Sequence, residues 1–192
     1  LKGRSSPALP RIRTQVRSSR LRRQDKLAKM IVYECRITGH EFITDSFNHE
    51  DIGVPGLFKV RSAFISEGGG SIAGVADAED GEDAVMVNNV ESAANLQELT
   101  PPPSKKEFKE WFVEFAKRVR KNLKEDPEKG PTEAKAWIAR TKGILGWINE
   151  NYADIQFYTN SDFDMDGCMC FAIYQSDKDF YFMSDALKAV KF

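Results

Sequence analysis

The chain has 192 residues, 41% hydrophobic and 30% charged, with 28 Lys and Arg nearly balancing 29 Asp and Glu. That composition fits a folded soluble protein, not a disordered chain or a disulfide scaffold. It also lacks the roughly 18-residue apolar run needed to cross a bilayer. The charge balance conceals two unlike pieces: residues 1–29 hold ten basic residues against the single acid Asp25, whereas the 163 residues from Met30 carry 18 basic and 28 acidic residues, a net charge of −10.

Leu1–Lys29 is Arg-rich, Ser-containing and almost free of acids, and it has no apolar block of the length a secretory signal requires. It is read as a basic, disordered leader, either translated upstream sequence or an organellar transit-type segment. A nucleic-acid arm is the weaker alternative, because no aromatic is interleaved for base stacking. Met30, directly before the first strand-like run, is the expected start of the folded body. Cys35, Cys168 and Cys170 leave an odd thiol in any pairing, which points to a reducing compartment.

From Met30 the pattern turns to short strands. Met30-Ile-Val-Tyr33 is β-branched and aromatic, Thr38-Gly39 marks a turn, and Glu41–Asp45 predicts a second strand. Leu57–Phe64 alternates, placing Phe58, Val60, Ser62 and Phe64 on one side and predicting a sheet with one dry face. Ser62–Ser104 then holds eight acids and no base, and Glu67–Ala84 is read as a long mobile acidic loop. A strand is predicted to resume at Ala84–Val87 and to run on towards Leu96.

Helix signals follow. Ser104 and Glu107 form a capping box, since each side chain can satisfy an orphan backbone N–H at a helix start. Phe108, Trp111, Phe112, Phe115, Val119 and Leu123 then recur at helical spacing, leaving Lys109, Lys117, Arg118, Lys121 and Lys124 outward. Asp126-Pro127 to Gly130-Pro131 breaks this helix. A second one is predicted from about Thr132 to Glu150, so residues 104–151 should form an antiparallel helical hairpin. Ile155–Thr159, Cys168–Tyr174 and Phe180–Met183 complete the chain as a strand meander.

Asp162-Phe-Asp164-Met-Asp166-Gly167 matches the first six positions of a calcium-binding helix-loop-helix loop, but Ile173 stands where that loop needs a bidentate Glu. The residues leave two readings, an Asp-rich turn or a weak calcium site of three clustered carboxylates. Zinc is not expected: Cys168 and Cys170 share a strand face, but only Cys35, His40 and His49 remain to complete four ligands. No nucleotide-binding glycine motif, zinc-protease pair or nucleophile elbow is present, so the residues favour a binding protein over an enzyme. Concentrated positive charge on a helix of an otherwise acidic body suggests an acidic partner.

In this order of elements, the chain resembles the translationally controlled tumour protein (TCTP) family over Met30–Phe192. The resemblance rests on Met30-Ile-Val-Tyr33 with Thr38-Gly-His-Glu41 and Thr44-Asp-Ser46, on Ile72–Gly81 at the first family signature, on Asn95-Leu-Gln-Glu98, and on Ile155–Tyr158 with Asp166–Tyr174 at the second. It implies a single 30–192 domain of α+β class, mainly β. That domain would be a β-tent, shared with accessory proteins of Rab GTPases and B-type methionine sulfoxide reductases, from which the helical hairpin protrudes.

The resemblance further implies a cytoplasmic, non-enzymatic regulator of growth that binds calcium, through Asp162, Asp164 and Asp166 in this chain. Such a protein stabilises microtubules by binding tubulin, for which Lys105, Lys106, Lys109, Lys117, Arg118, Lys121 and Lys124 are the candidate residues. It also contacts Ras-type small GTPases and translation elongation factors, with Glu41 on the family's GTPase-contacting glutamate. A second such glutamate falls on Ser161, and the first signature reads Ala73-Gly-Val-Ala-Asp77 in place of Gly-Ala-Asn-Pro-Ser. A reductase using Cys168 and Cys170 is the remote alternative. No membrane partner is expected.

Overall fold

The structure is a computed structural model and describes residues 30–67, 85–127, 130–174 and 177–192. The leader, and the acidic loop beyond Glu67, therefore lie outside the described residues. In chain order the elements are β1 (Ile31–Cys35), β2 (Glu41–Thr44), β3 (His49–Asp51), β4 (Leu57–Arg61), β5 (Phe64–Glu67), β6 (Val85–Asn88), α1 (Asn89–Ala94) and β7 (Gln97–Glu98). They continue with α2 (Lys105–Glu125), α3 (Gly130–Asn151), β8 (Ile155–Thr159), β9 (Cys170–Tyr174), β10 (Lys178–Met183), a 3-10 turn at Ser184–Ala186, and β11 (Leu187–Lys191). This is the expected α+β class, mainly β.

The strands form a six-stranded antiparallel sheet of order β3-β4-β10-β9-β8-β7, a three-stranded sheet β11-β1-β2 and the two-stranded ribbon β5-β6. Both faces of the large sheet are covered, so its central strand β9 reads as an almost continuous apolar run, with Cys170, Phe171, Ala172 and Ile173 all buried. Phe157 and Phe171 are direct cross-strand partners, and both meet Phe108 of α2, at ring distances of 5.2 and 6.0 Å. On the opposite face Phe58 stacks on Phe182, His49 stacks on Phe58, and Tyr33 of β1 closes over His49. The large sheet is thus the middle layer, between the helical hairpin and the small sheet.

The hairpin begins as its sequence predicts. The Ser104 amide donates to Glu107 Oε2 at 2.8 Å, and the Glu107 amide donates to Ser104 Oγ at 3.3 Å. Phe108, Phe112, Phe115, Val119 and Leu123 are buried, together with Trp137, Ile144 and Ile148 of α3. The Trp137 indole, fully buried, donates to the Ala116 carbonyl at 3.0 Å, so its own N–H is satisfied between the helices.

The expected antiparallel helical hairpin is present, and its inner side enters the core. Its length is also clasped to the sheets. Arg36 of the β1–β2 turn pairs with Asp126 at 2.6 Å, Arg140 pairs with Asp185 at 2.5 Å, and Trp147 packs on Tyr181 at 4.6 Å. What remains free is the outer side of both helices, with Lys135, Ile138 and Lys142 exposed on α3 and Lys109, Lys117 and Lys121 exposed on α2.

Two strand expectations change. The Leu57–Phe64 strand breaks at Ser62 and Ala63, where Ser62 Oγ donates to the Lys178 carbonyl and the Ala63 amide donates to Asn89 Oδ1 at 2.8 Å. The stretch towards Leu96 is a helix after Asn88, not a strand. Asn88 Oδ1 accepts from the amides of Val90 and Glu91, and Asn95 ends the helix at φ 48°. Both are cap residues, and their signal is submerged under the apolar Val85-Met-Val87 run.

Candidate functional site

Two turns and one helix meet at an edge of the molecule. The first turn follows β1: the Cys35 amide donates to the His40 carbonyl at 2.6 Å, and the Gly39 amide donates back to the Cys35 carbonyl at 2.8 Å. Gly39 takes φ +76°, which a side chain would strain, so the turn is tight enough to present Thr38, His40 and Glu41 together.

The second is the Asp-rich loop between β8 and β9, built from local side-chain to backbone bonds. Asn160 Oδ1 accepts from the Asp164 amide at 3.0 Å, and Asp164 Oδ1 accepts from the Asp166 amide at 2.9 Å. Gly167 is buried where this loop meets the first turn: a Cβ placed on it would lie 3.2 Å from Thr38 Oγ1. Helix α2 holds the other side. The Trp111 indole donates to the Met165 carbonyl at 2.7 Å, and Arg118 Nη1 forms an ion pair with Asp166 Oδ1.

The three candidate calcium carboxylates are consequently committed to different partners. Asp162 faces His40 Nε2 at 3.6 Å, Asp164 folds back on its own loop, and Asp166 is taken by Arg118. Calcium needs six to eight oxygens converging at about 2.3–2.6 Å. Among the described residues no group of three or more His, Cys, Asp or Glu side chains is close enough to hold a metal ion. The donor set does not fit calcium in this arrangement.

The predicted basic face divides in the same way. Lys105, Lys106, Lys109, Lys117, Lys121 and Lys124 are exposed as expected. Arg118, expected outward, is half-buried and spent on Asp166. Lys117 pairs with Glu114 at 2.7 Å, and Lys105 lies 5.2 Å over the Tyr152 ring. Arg120, Lys121 and Lys124 form no ion pair among the described residues, which leaves a compact cationic patch on the last turns of α2. Sequence reasoning passed over Arg120; its charge and exposure were the available signal.

Glu41 is exposed at the start of β2, an outer strand of the small sheet, and Ser161 is exposed on the Asp-rich loop, next to the Asp162 that faces His40. The cysteines are arranged otherwise than their spacing suggests. Cys170 is buried in β9, with its thiol pushed up by burial. Cys168 precedes the strand and turns to Cys35, with sulfurs 3.0 Å apart, and burial raises its thiol as well. Burial thus disfavours the thiolate at both residues named for a reductase. Cys35 instead is drawn down to about 5, chiefly by the hydrogen bond it accepts from Cys168 and against the opposing effect of burial.

The family model described as translationally controlled tumour protein matches residues 30–188. Among solved structures, the Translationally Controlled Tumor-associated Protein p23fyp from Schizosaccharomyces pombe is similar at 21% identity and a TM-score of 0.65. The match covers 84% of this chain and 99% of that one, and it speaks for the fold.

Proposed function

Taking as premise that the chain belongs to the translationally controlled tumour protein family, we propose that it is a cytoplasmic, non-enzymatic binding protein whose cationic patch on α2 engages tubulin and stabilises microtubules. The observation that carries this reading is the exposure of Arg120, Lys121 and Lys124 without internal acidic partners among the described residues. They stand on a body that is otherwise net acidic, so a strongly negative protein surface is the complement they fit. Lys106 and Lys109 extend the same outer face towards the start of the helix.

The test is co-sedimentation with microtubules of the parent and of a Lys109→Glu/Lys117→Glu/Lys121→Glu/Lys124→Glu variant, with circular dichroism verifying that both are folded. Binding should weaken by about tenfold or more, and the parent's binding should fall with added salt. Unchanged sedimentation of the folded variant removes the patch from the account.

A second reading is favoured by the exposure of Glu41 on an outer strand: an accessory role towards a Ras-like small GTPase or a translation elongation factor. Ser161 in place of an acid leaves that surface with one fewer carboxylate. Nucleotide release from the GTPase, accelerated by the parent and not by Glu41→Ala, is the expected outcome; no acceleration by the parent ends it. Calcium enters as an amide NMR titration, where saturable shifts at Asp162, Asp164 and Asp166 require Arg118 to release Asp166.

A further inference from the structure

We propose that Cys35 and Cys168 are a redox modification site, an intramolecular dithiol that a hydroperoxide converts to a disulfide. The inference is independent of the partner-binding reading and rests on placement. Two residues 133 positions apart in sequence bring their sulfurs to 3.0 Å, and the Cys168 backbone amide also points at Cys35 Sγ, at 3.2 Å. A sulfur facing two donors is an acceptor, so it is Cys35 that is held in the nucleophilic form. Its depressed pKa has the same origin. The Cys168 thiol hydrogen has a second acceptor in the Ala186 carbonyl at 3.3 Å, which keeps the sulfur beside its partner.

The chemistry balances in two steps. The Cys35 thiolate attacks the hydroperoxide: an S–O bond forms, the O–O bond breaks, and the departing alkoxide or hydroxide takes a proton from solvent. Cys35 is now a sulfenic acid, oxidised by two electrons. The Cys168 sulfur then attacks Cys35 Sγ: the S–S bond forms, the S–O bond breaks, and hydroxide leaves with the Cys168 proton as water. Two thiols and one hydroperoxide thus give a disulfide, an alcohol or water, and one further water.

Both sulfurs are covered, but Cys35 is the first residue of the turn that runs to His40, whose Gly39 is exposed. Opening that turn admits a small oxidant without unfolding the sheets. Once formed, the bond ties the end of β1 to the residue after Gly167, and so couples the two turns of the candidate site. Cys170 sits apart in β9, and its raised thiol leaves it out of the reaction.

The experiment treats the full chain with hydrogen peroxide under native conditions, blocks free thiols by alkylation, and maps disulfides by mass spectrometry of unreduced peptides. Two of the three thiols should be lost, with the loss of two hydrogen atoms in mass and one peptide pair joining Cys35 to Cys168. In Cys168→Ser the reaction should stop at a sulfenic acid on Cys35, trapped by a dimedone reagent. A bond involving Cys170, an exclusively intermolecular bond, or three thiols surviving in the folded parent overturns the proposal.

Discussion

Replacing Arg36 by Met tests whether the end of the hairpin is truly clasped to the sheets. The Arg36 side chain is 4% exposed and donates three hydrogen bonds: to Asp126 Oδ2 at 2.6 Å, to the Asp185 carbonyl at 3.2 Å and to the Leu187 carbonyl at 3.3 Å. Methionine fills similar volume, so the loss is electrostatic more than steric. Removing one partner of a buried pair costs about 3–5 kcal/mol. Here the abandoned groups line a cleft of about 710 Å³ through which water can reach them, which argues for the lower end.

A loss of about 3 kcal/mol follows, equivalent to about 6–12 °C in Tm for a chain of this size. Urea denaturation followed by circular dichroism measures it, and Asp126→Asn with the double variant isolates the pairwise coupling. A loss below about 1 kcal/mol for Arg36→Met would refute the argument, because the contact would then be no more than a surface ion pair.

His49 should make the fold acid-sensitive. Its ring lies between Tyr33 and Phe58, its Nε2 is buried without a hydrogen-bond partner among the described residues, and burial holds its pKa below the ordinary value against the opposing pull of the Thr44 backbone and Asp45. Because the folded state resists protonation, the stability it contributes is present above about pH 6.5 and is lost as pH falls through the lowered pKa. His49→Phe should flatten urea midpoints over that range, and an unchanged slope counts against the assignment. Gly167→Ala should cost roughly 1 kcal/mol, since its Cβ would crowd Thr38 and the Asp164 carbonyl at 3.2–3.3 Å; thermal melts check this, and a neutral effect means that the two turns are not pressed together.

Local signals were legible and distant ones were not. The capping box at Ser104 and the apolar spacing from Phe108 to Leu123 predict α2 because both depend only on neighbours within a few turns. The meander β8-β9-β10 was legible for the same reason. β11 was not, because Leu187-Lys-Ala-Val-Lys191 carries too much charge to read as a strand; its identity comes from pairing with β1. At the candidate site, the Asp-rich turn and the basic helix could each be read, but not that Arg118 and Asp166 neutralise one another. Nor could spacing reveal that Cys168 faces Cys35 and not Cys170.

That β1–β11 pairing also governs how the protein can be made. Ile31 lies opposite Lys191 and Cys35 opposite Leu187, so the first strand of the body waits for the last before its sheet can close. β10, an internal strand of the large sheet, directly precedes β11, so both sheets are completed by the same stretch of chain. Until Leu187–Lys191 is in place, β1 has only β2 beside it, and this long-range contact forms late because the whole chain between them must be brought together. A variant in which Leu187–Lys191 cannot pair would therefore leave β1 as an open strand edge, available to other chains.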